Sequence, residues 1–508
     1  MRKFTGPAVL VMLLFASDAV GQKFNQESLR SLANADLTTT FAMYRKFLEI
    51  PNDGHFAEQI HNNAVWCLNT FKALGFETKL LKSEGIEHVY AERIFSKKYK
   101  NILFYLQIDG QPVDPAKWNQ ESPFKPVLKE KQDDQWKIID WENLNENLNP
   151  DWRIFARSAS DSKGPAMAFI TALRLMNENK IKPGFNIKVI MDFQEEMGSP
   201  ALPALVAANK ELFKASMVLI MDGTRHVSNL PTLNFGARGI ATISLKVFGA
   251  KNELHSGQYG NYAPNPVFKL ARLLAEMKDE TGKVTIPGFY DGIIISEKEK
   301  LLINDMPGDD ESLNTTLGIA VADKVGDTYE ESLQYPSFNV RGLRAASVGG
   351  EVRTIIPSVA IAELDLRLVP ETSGDKMVLL VKDFIASKGY HFVEGEPSDL
   401  ERAKYADLIS FEYRIGSKPF RTDLNSPVGL WLGSAMDRTF GPGKYVKQRT
   451  TGGSQPIEPF ITTLGVPAVS IRIPNPDNNI HAADENLRIG NFIEGIQMCL
   501  GILTQKMK

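Results

Sequence analysis

The chain has 508 residues, 43% hydrophobic and 23% charged, the proportions of a globular protein long enough for two or three domains. Its 58 Lys and Arg nearly balance 61 Asp and Glu, and the net charge of −3 leaves no basic excess for binding along nucleic acid phosphates. Two Cys exclude both a disulfide framework and a four-cysteine zinc site.

In chain order, the first feature is a targeting segment. Arg2 and Lys3 precede the apolar run Val9 to Ala16, and Ala19-Val20-Gly21 supplies small residues for cleavage before Gln22. Residues 1–21 are therefore predicted to be a signal peptide. The mature protein is expected to be exported, to the periplasm or outside the cell, with no membrane attachment after cleavage. No later run reaches the roughly 18 apolar residues of a membrane span. Cys67 and Cys499 both fall on apolar helical faces; export permits them to pair, and two buried free thiols are the open alternative.

Phe56, Ile60, Ala64, Cys67, Leu68, Phe71 and Leu74 recur at helical spacing and predict a helix. Asn101 to Ile108 reads as a buried strand. Helices are predicted over 165–176 and 201–213, and strands over 186–193 and 217–221. This alternation predicts an α/β catalytic domain with a largely parallel sheet and helices on both faces. From about Arg238 the rhythm changes. Strands over 241–249, 359–369 and 408–413, with helices over 266–277 and 376–387, read as an inserted α+β domain. After Gly416 the βα rhythm resumes: a helix at 427–440, a strand at 468–471 and a last helix. The predicted division is 22–237 and 416–508 for the catalytic domain, with 238–415 inserted between them.

The chemistry collects where predicted strands end. Asp109 follows the strand at 101–108. Asp161 lies in Ser160-Asp161-Ser162-Lys163-Gly164, before a helix. Glu195 and Glu196 end the strand at 186–193, Asp222 ends the strand at 217–221, and His481 follows the strand at 468–471. In open α/β sheets, ligands bind at the carboxyl ends of strands. Any one of these carboxylates alone reads as a helix cap or a solvated loop residue. Together at one edge they repel one another unless cations neutralise them, and O and N donors suit a divalent metal such as zinc, manganese or cobalt. Neighbours at a strand end point in different directions, so one of Glu195 and Glu196 can bind metal while the other faces substrate. A free Glu beside a bound cation is placed to take the proton from water attacking a polarised carbonyl.

These residues sit in an ordered set of segments: IDGQPVDPAKW (108–118), ASDSKGP (159–165), EEMGS (195–199), MDG (221–223), FGARG (235–239), ELHSGQYGN (253–261), Asn265-Pro266, RTIIP (353–357), LRLVP (366–370), GGS (452–454) and IHAADE (480–485). From about Thr38 onward the chain resembles the metallopeptidase family of carnosine dipeptidase, cytosolic nonspecific dipeptidase, carboxypeptidase G and acetylornithine deacetylase, nearest its dipeptidase branch. The resemblance implies hydrolysis of dipeptides or short peptides with one or two divalent ions per chain, zinc or manganese. It implies that Asp161 bridges two metals, that Glu196 and His481 complete one site, and that Asp222 serves the other. Glu195 becomes the base, and Asp109 orients the metal ligand two residues before it. That ligand is where the chain departs from the family. The pattern is His-x-Asp, and here it is Gln107-Ile108-Asp109, whose neutral amide oxygen is a poorer zinc donor than imidazole. The second Asp usual after the bridging one is Ser162. The inserted domain resembles a lid and dimerisation domain, and the resemblance implies a homodimer in which His255 reaches the partner's site. Thr354, Arg367 and Ser454 match substrate-holding positions, with Arg367 suited to a carboxylate. The remaining His (His55, His61, His88, His226, His391) match no motif and are read as structural or exposed.

Three rival readings remain in view. Ser160-x-x-Lys163 matches the Ser-x-x-Lys of penicillin-recognising serine hydrolases, but no Ser-Asp-Asn or Lys-Thr-Gly follows. An N-acyl amino acid deacylase of the same fold, acting on an N-acyl amino acid substrate, is the nearest alternative. A non-catalytic homologue weakened by Gln107 is the third. The stretch between Trp118 and Asp161 reads either as a β-hairpin flap near the site entrance or as an exposed loop without a role.

Overall fold

The computed structural model describes residues 24–146, 148–304, 306–307 and 310–507. The signal peptide expected over 1–21 lies outside the described residues. The main sheet has eight strands, in the order Glu77–Ser83, Ile86–Arg93, Asn186–Asp192, Asn101–Gln107, Val218–Met221, Ala468–Arg472, Thr232–Asn234 and Val446–Gln448. Its centre is parallel: Asn186–Asp192, Asn101–Gln107, Val218–Met221 and Ala468–Arg472 all run the same way. The sheet is mixed at its edges, where Glu77–Ser83 and Ile86–Arg93 form an antiparallel hairpin. That hairpin turns at Glu84 and Gly85, both with positive φ, the geometry that matches strand twist in a two-residue loop.

The central strands are apolar throughout because both faces are covered. Along Asn101–Gln107, Ile102, Phe104 and Leu106 join the larger core cluster, while Leu103 and Tyr105 enter the cluster on the other face. On the first face lie the helices Lys163–Glu178 and Ile489–Leu503, with Phe104 stacked on Phe169 at 4.5 Å between ring centroids. On the second face, Phe460 from the helix Glu458–Leu464 meets Phe213 and Tyr105 edge-on. The single helix expected over 201–213 is two, Leu202–Ala208 and Lys210–Phe213.

A second sheet has the order Ser337–Arg344, Val359–Leu368, Gly239–Phe248, Leu408–Ile415 and His391–Val393. Its long strands alternate buried and half-buried residues, the pattern of a sheet with one face on a core. That face packs the helices Pro266–Ala275 and Gly374–Ser387. The stretch between Trp118 and Asp161 contains a hairpin, Val127–Gln132 with Gln135–Ile139, in a four-stranded sheet with Arg153–Phe155 and Asn486–Arg488. Trp136 lies edge-on to Phe155 and under the Arg153 guanidinium, so this hairpin is anchored to the sheet. Cys67 and Cys499 are both buried free thiols. Among the described residues no helix is long and apolar enough to cross a membrane.

Candidate active site

The parallel strands deliver their carboxyl ends to one edge of the sheet. Gln107, Met221 and Arg472 are the last residues of their strands, Asp222 follows Met221, and Glu195 comes three residues after Asp192. Around them opens a cavity of about 350 Å³ lined by Gln107, Asp161, Glu195, Asp222, Arg472 and His481, among others.

Glu195 and Glu196 are not on the strand end, as the sequence suggested. They occupy a tight 3-10 turn, Glu195–Met197, whose three-residue repeat fans successive side chains apart. Asp109 builds this turn. Its two oxygens accept the backbone N–H groups of Glu195 and Glu196, each at 3.0 Å. Asp109 thus orients the glutamates through their backbone. Burial holds the Asp109 carboxyl well above the usual range, helped by the charges of Asp192 and Glu196.

Asp161, Glu196 and His481 converge. His481 Nε2 lies 3.0 Å from Asp161 Oδ2 and 3.2 Å from Glu196 Oε2. Among the described residues these three form a group whose ligand atoms all lie within 4.8 Å of one another. Gln111 Nε2 donates to Glu196 Oε2 at 2.8 Å, while Glu196 Oε1 is buried without a partner. Burial and the Glu196 charge raise the Asp161 carboxyl to about 7. Hydrogen bonds to Asp161 and Glu196 raise His481 to about 10. Glu195, half-buried, is pushed well above the carboxylate range by burial and by Asp222, Asp161 and Glu196.

The loop carrying Asp161 is held by a residue that has no role in the sequence analysis, Glu485. Glu485 is fully buried and accepts from Ser158 N at 2.9 Å, Ser160 N at 2.8 Å, Ser160 Oγ at 2.9 Å, Asp161 N at 2.8 Å and Arg157 Nη1 at 2.7 Å. Ser160 is therefore engaged by Glu485, and Lys163 Nζ donates to the carbonyls of Phe47 and Ile50. Ser160 and Lys163 are thus not paired with each other, which removes the serine hydrolase reading.

On the substrate side, Arg367 Nη1 donates to Ser454 Oγ at 3.0 Å, and Ser454 lines the cavity. Buried His226 also lines it, with Nε2 3.2 Å from Glu330 Oε1. It is the one motif-free histidine that reaches the cleft; His88 is buried against Asp192, and His55 and His61 are exposed partners of Asp53 and Glu87. His255 and Thr354 come together elsewhere, at the two-stranded ribbon Leu254–His255 with Ile355–Ile356, where both are exposed and neither lines the cavity.

Residues 103–505 match Peptidase family M20/M25/M40. The chain belongs to this family. Among curated M20 proteins it is 27% identical over 419 residues to a mouse Beta-Ala-His dipeptidase, covering 80% of this chain and 77% of that one. It is 25% identical over 395 residues to a Cys-Gly metallodipeptidase of Candida albicans, covering 75% and 76%. Among solved structures, an M20 family metallo-carboxypeptidase from Sulfolobus solfataricus superimposes with a TM-score of 0.74 at 27% identity, covering 92% of this chain and 98% of that one. The chain is accordingly a metal-dependent peptidase, with the α/β fold expected of it.

Membership corrects one expectation. The expected export to the periplasm or the medium does not stand against the similarity to the Cys-Gly metallodipeptidases of Candida albicans and Schizosaccharomyces pombe.

The metal expected of an M20 peptidase fits one half of the cleft. Asp161, Glu196 and His481 offer two carboxylates and an imidazole, and the unpartnered Glu196 Oε1 is a buried acceptor awaiting a cation. The other half, Gln107 with Asp222, does not fit. The Gln107 Nε2 is buried without a partner, and both Asp222 oxygens already accept hydrogen bonds, from Ser162 Oγ at 2.6 Å and Gln455 Nε2 at 3.0 Å. Gln455, Gln111 and Arg472 escaped sequence reading. Only Arg472 had a visible signal, a charge closing an apolar strand.

Proposed function

We infer that the chain hydrolyses the amide bond of dipeptides and short peptides, with Glu195 as the general base. The observation that carries this reading is Glu195 lining the same cavity as Asp161 and His481, with Glu196 fixed on the same turn. A divalent ion on Asp161, Glu196 and His481 would supply a Lewis acid that polarises the scissile carbonyl. A carboxyl group held high in its titration range is suited to take a proton from the attacking water and return it to the leaving amine. Asp109 keeps that group in register by fixing its backbone N–H. Arg367, oriented by Ser454, is suited to the substrate's carboxylate. The names of the relatives, Cys-Gly metallodipeptidase and Beta-Ala-His dipeptidase, support dipeptides as the substrate class.

Zinc or manganese is the proposed ion: imidazole favours the first and carboxylate oxygen the second. A homodimer is part of the same reading. His255 and Thr354, exposed and away from the cavity, would complete the site of a second copy, carried there by residues 238–415 acting as a lid and dimerisation domain between 22–237 and 416–508.

The test is Glu195→Gln with dipeptide turnover and metal content measured together. Loss of a general base costs about 10²–10⁴-fold in rate. The variant should lose that much kcat and keep its metal; turnover at the parent rate would refute the assignment. Mixing Glu195→Gln with His255→Ala subunits should restore part of the activity through hybrid dimers, and a fully active monomer would remove the trans role of His255.

A further inference from the structure

Arg472 closes the strand Ala468–Arg472 and is only 6% exposed. Its guanidinium lies across Gly223, where a Cβ would sit 1.6 Å from Nη1 and 2.3 Å from Cζ. Gly223 directly follows Asp222, and Arg472 lines the same cavity as Asp222, Asp161 and Glu195, whose charges act on its guanidinium. Its Nε has no hydrogen-bond partner, so it is not spent on a structural contact there. Around it each oxygen of Asp222 already accepts one hydrogen bond from the chain's own donors. Ser162 Oγ has a single proton, and the 2.6 Å contact to Asp222 Oδ1 is shorter than its 3.1 Å contact to Asp161 Oδ1. Gln455, whose amide oxygen accepts from Ser470 Oγ at 3.0 Å, donates to Asp222 Oδ2. Gln107 completes this side with a neutral amide.

We propose that this peptidase works with one divalent ion, and that the Arg472 guanidinium supplies the positive charge on the Gln107–Asp222 side where a second ion would otherwise sit. Four carboxylates, Asp161, Asp222, Glu195 and Glu196, meet at the cleft, and like charges held close together out of water need neutralisation. One ion held by Asp161, Glu196 and His481 answers part of that charge. A fixed guanidinium, which stays protonated and is more weakly hydrated than an ammonium, answers part of the remainder without dissociating. It also repels a second cation. Gln107, Ser162 and Arg472 therefore belong to one arrangement: a weak ligand, a hydroxyl donor to Asp222 and a resident cation. The inference rests on the reading that Asp161, Glu196 and His481 hold the ion.

The experiment is zinc stoichiometry, by calorimetric titration of metal-free protein and by elemental analysis after desalting. The parent should bind one zinc per chain. Gln107→His alone should still bind one, because Arg472 remains. The double variant Gln107→His with Arg472→Met should bind two, and Gln107→His with Arg472→Lys, which keeps a cation, should bind one. Retention of the first zinc shows that each variant is folded; Arg472→Gln replaces Arg472→Met if that ion is lost. Two zinc ions in the parent, or one in the double variant, overturns the proposal. A parent that binds one zinc and hydrolyses no dipeptide leaves this assignment standing and removes the peptidase reading. A parent that hydrolyses dipeptides with two zinc ions does the reverse.

Discussion

Glu485 offers the sharpest test of how the site is built. Its two oxygens take five donors: Oε1 accepts from Ser160 N, Ser160 Oγ and Asp161 N, and Oε2 from Ser158 N and Arg157 Nη1. Glu485→Gln keeps the shape and replaces one oxygen by an amide nitrogen that can only donate. The least costly orientation puts that nitrogen on the Oε2 side, opposing Ser158 N and the Arg157 guanidinium. Two buried donors left unsatisfied at about 1–3 kcal/mol each give about 2–6 kcal/mol. Breaking one partner of a buried ion pair independently suggests about 3–5 kcal/mol. Both routes place the loss near 4 kcal/mol, large against the ordinary effect of a point substitution. Because the same carboxylate positions the backbone of Asp161, metal affinity should fall as well, by about 10–100-fold. Urea unfolding followed by tryptophan fluorescence reads the first quantity and competitive zinc titration the second. A loss below about 1 kcal/mol with unchanged zinc affinity would show that the buried carboxylate neither supports nor positions the loop.

Three further outcomes follow from the electrostatics and packing. In metal-free protein His481 is raised to about 10 from 6.5 and Asp161 to about 7 from 3.8, so both bind protons more tightly when folded. Their stabilisation is complete below the lower value of each pair and is lost as pH rises to the upper one, whereas zinc displaces those protons. The gain in Tm on adding zinc should therefore grow between pH 6 and 9, and a gain that is flat or shrinks with pH counts against the ligand set. Lys163, fully buried, is lowered from 10.5 to about 7 by desolvation, so the folded state holds its proton less tightly than the unfolded one. Relative to Lys163→Met, the parent should gain stability as pH rises from 7 to 10.5; parallel stability–pH curves would refute this. Gly223→Ala would put a methyl group on Arg472 Nη1 at a backbone with φ of +89°, costing about 1–2 kcal/mol from the backbone alone. Thermal unfolding should show it as a lower Tm, and an unchanged Tm would mean that Arg472 does not rest on Gly223.

The sequence by itself determined the elements whose signal is local. The apolar runs at 101–108, 186–193, 217–221 and 468–471 read as strands covered on both faces, and they placed Asp109, Asp222 and the Glu195–Glu196 pair at one edge. It also located Asp161 and His481, 320 residues apart, because their segments match a family pattern rather than because their contact is legible. Tertiary structure alone decided what those carboxylates do. Asp109 looked like a partner for Gln107 and serves the 195–197 turn, since a carboxylate in a closed loop binds whichever N–H groups the fold leaves free. Glu485 carries no local signature, because its five donors come from a loop more than 320 residues earlier in the chain. Arg472 is the clearest case. A guanidinium at the end of an apolar strand is a plain fact of sequence, but only the packing of that strand beside the one ending at Met221 brings its charge into the cavity that Asp161 and Glu195 line. Hydrophobic periodicity fixes where a chain is buried; the partner of a buried charge is set by which distant segments fill the space around it.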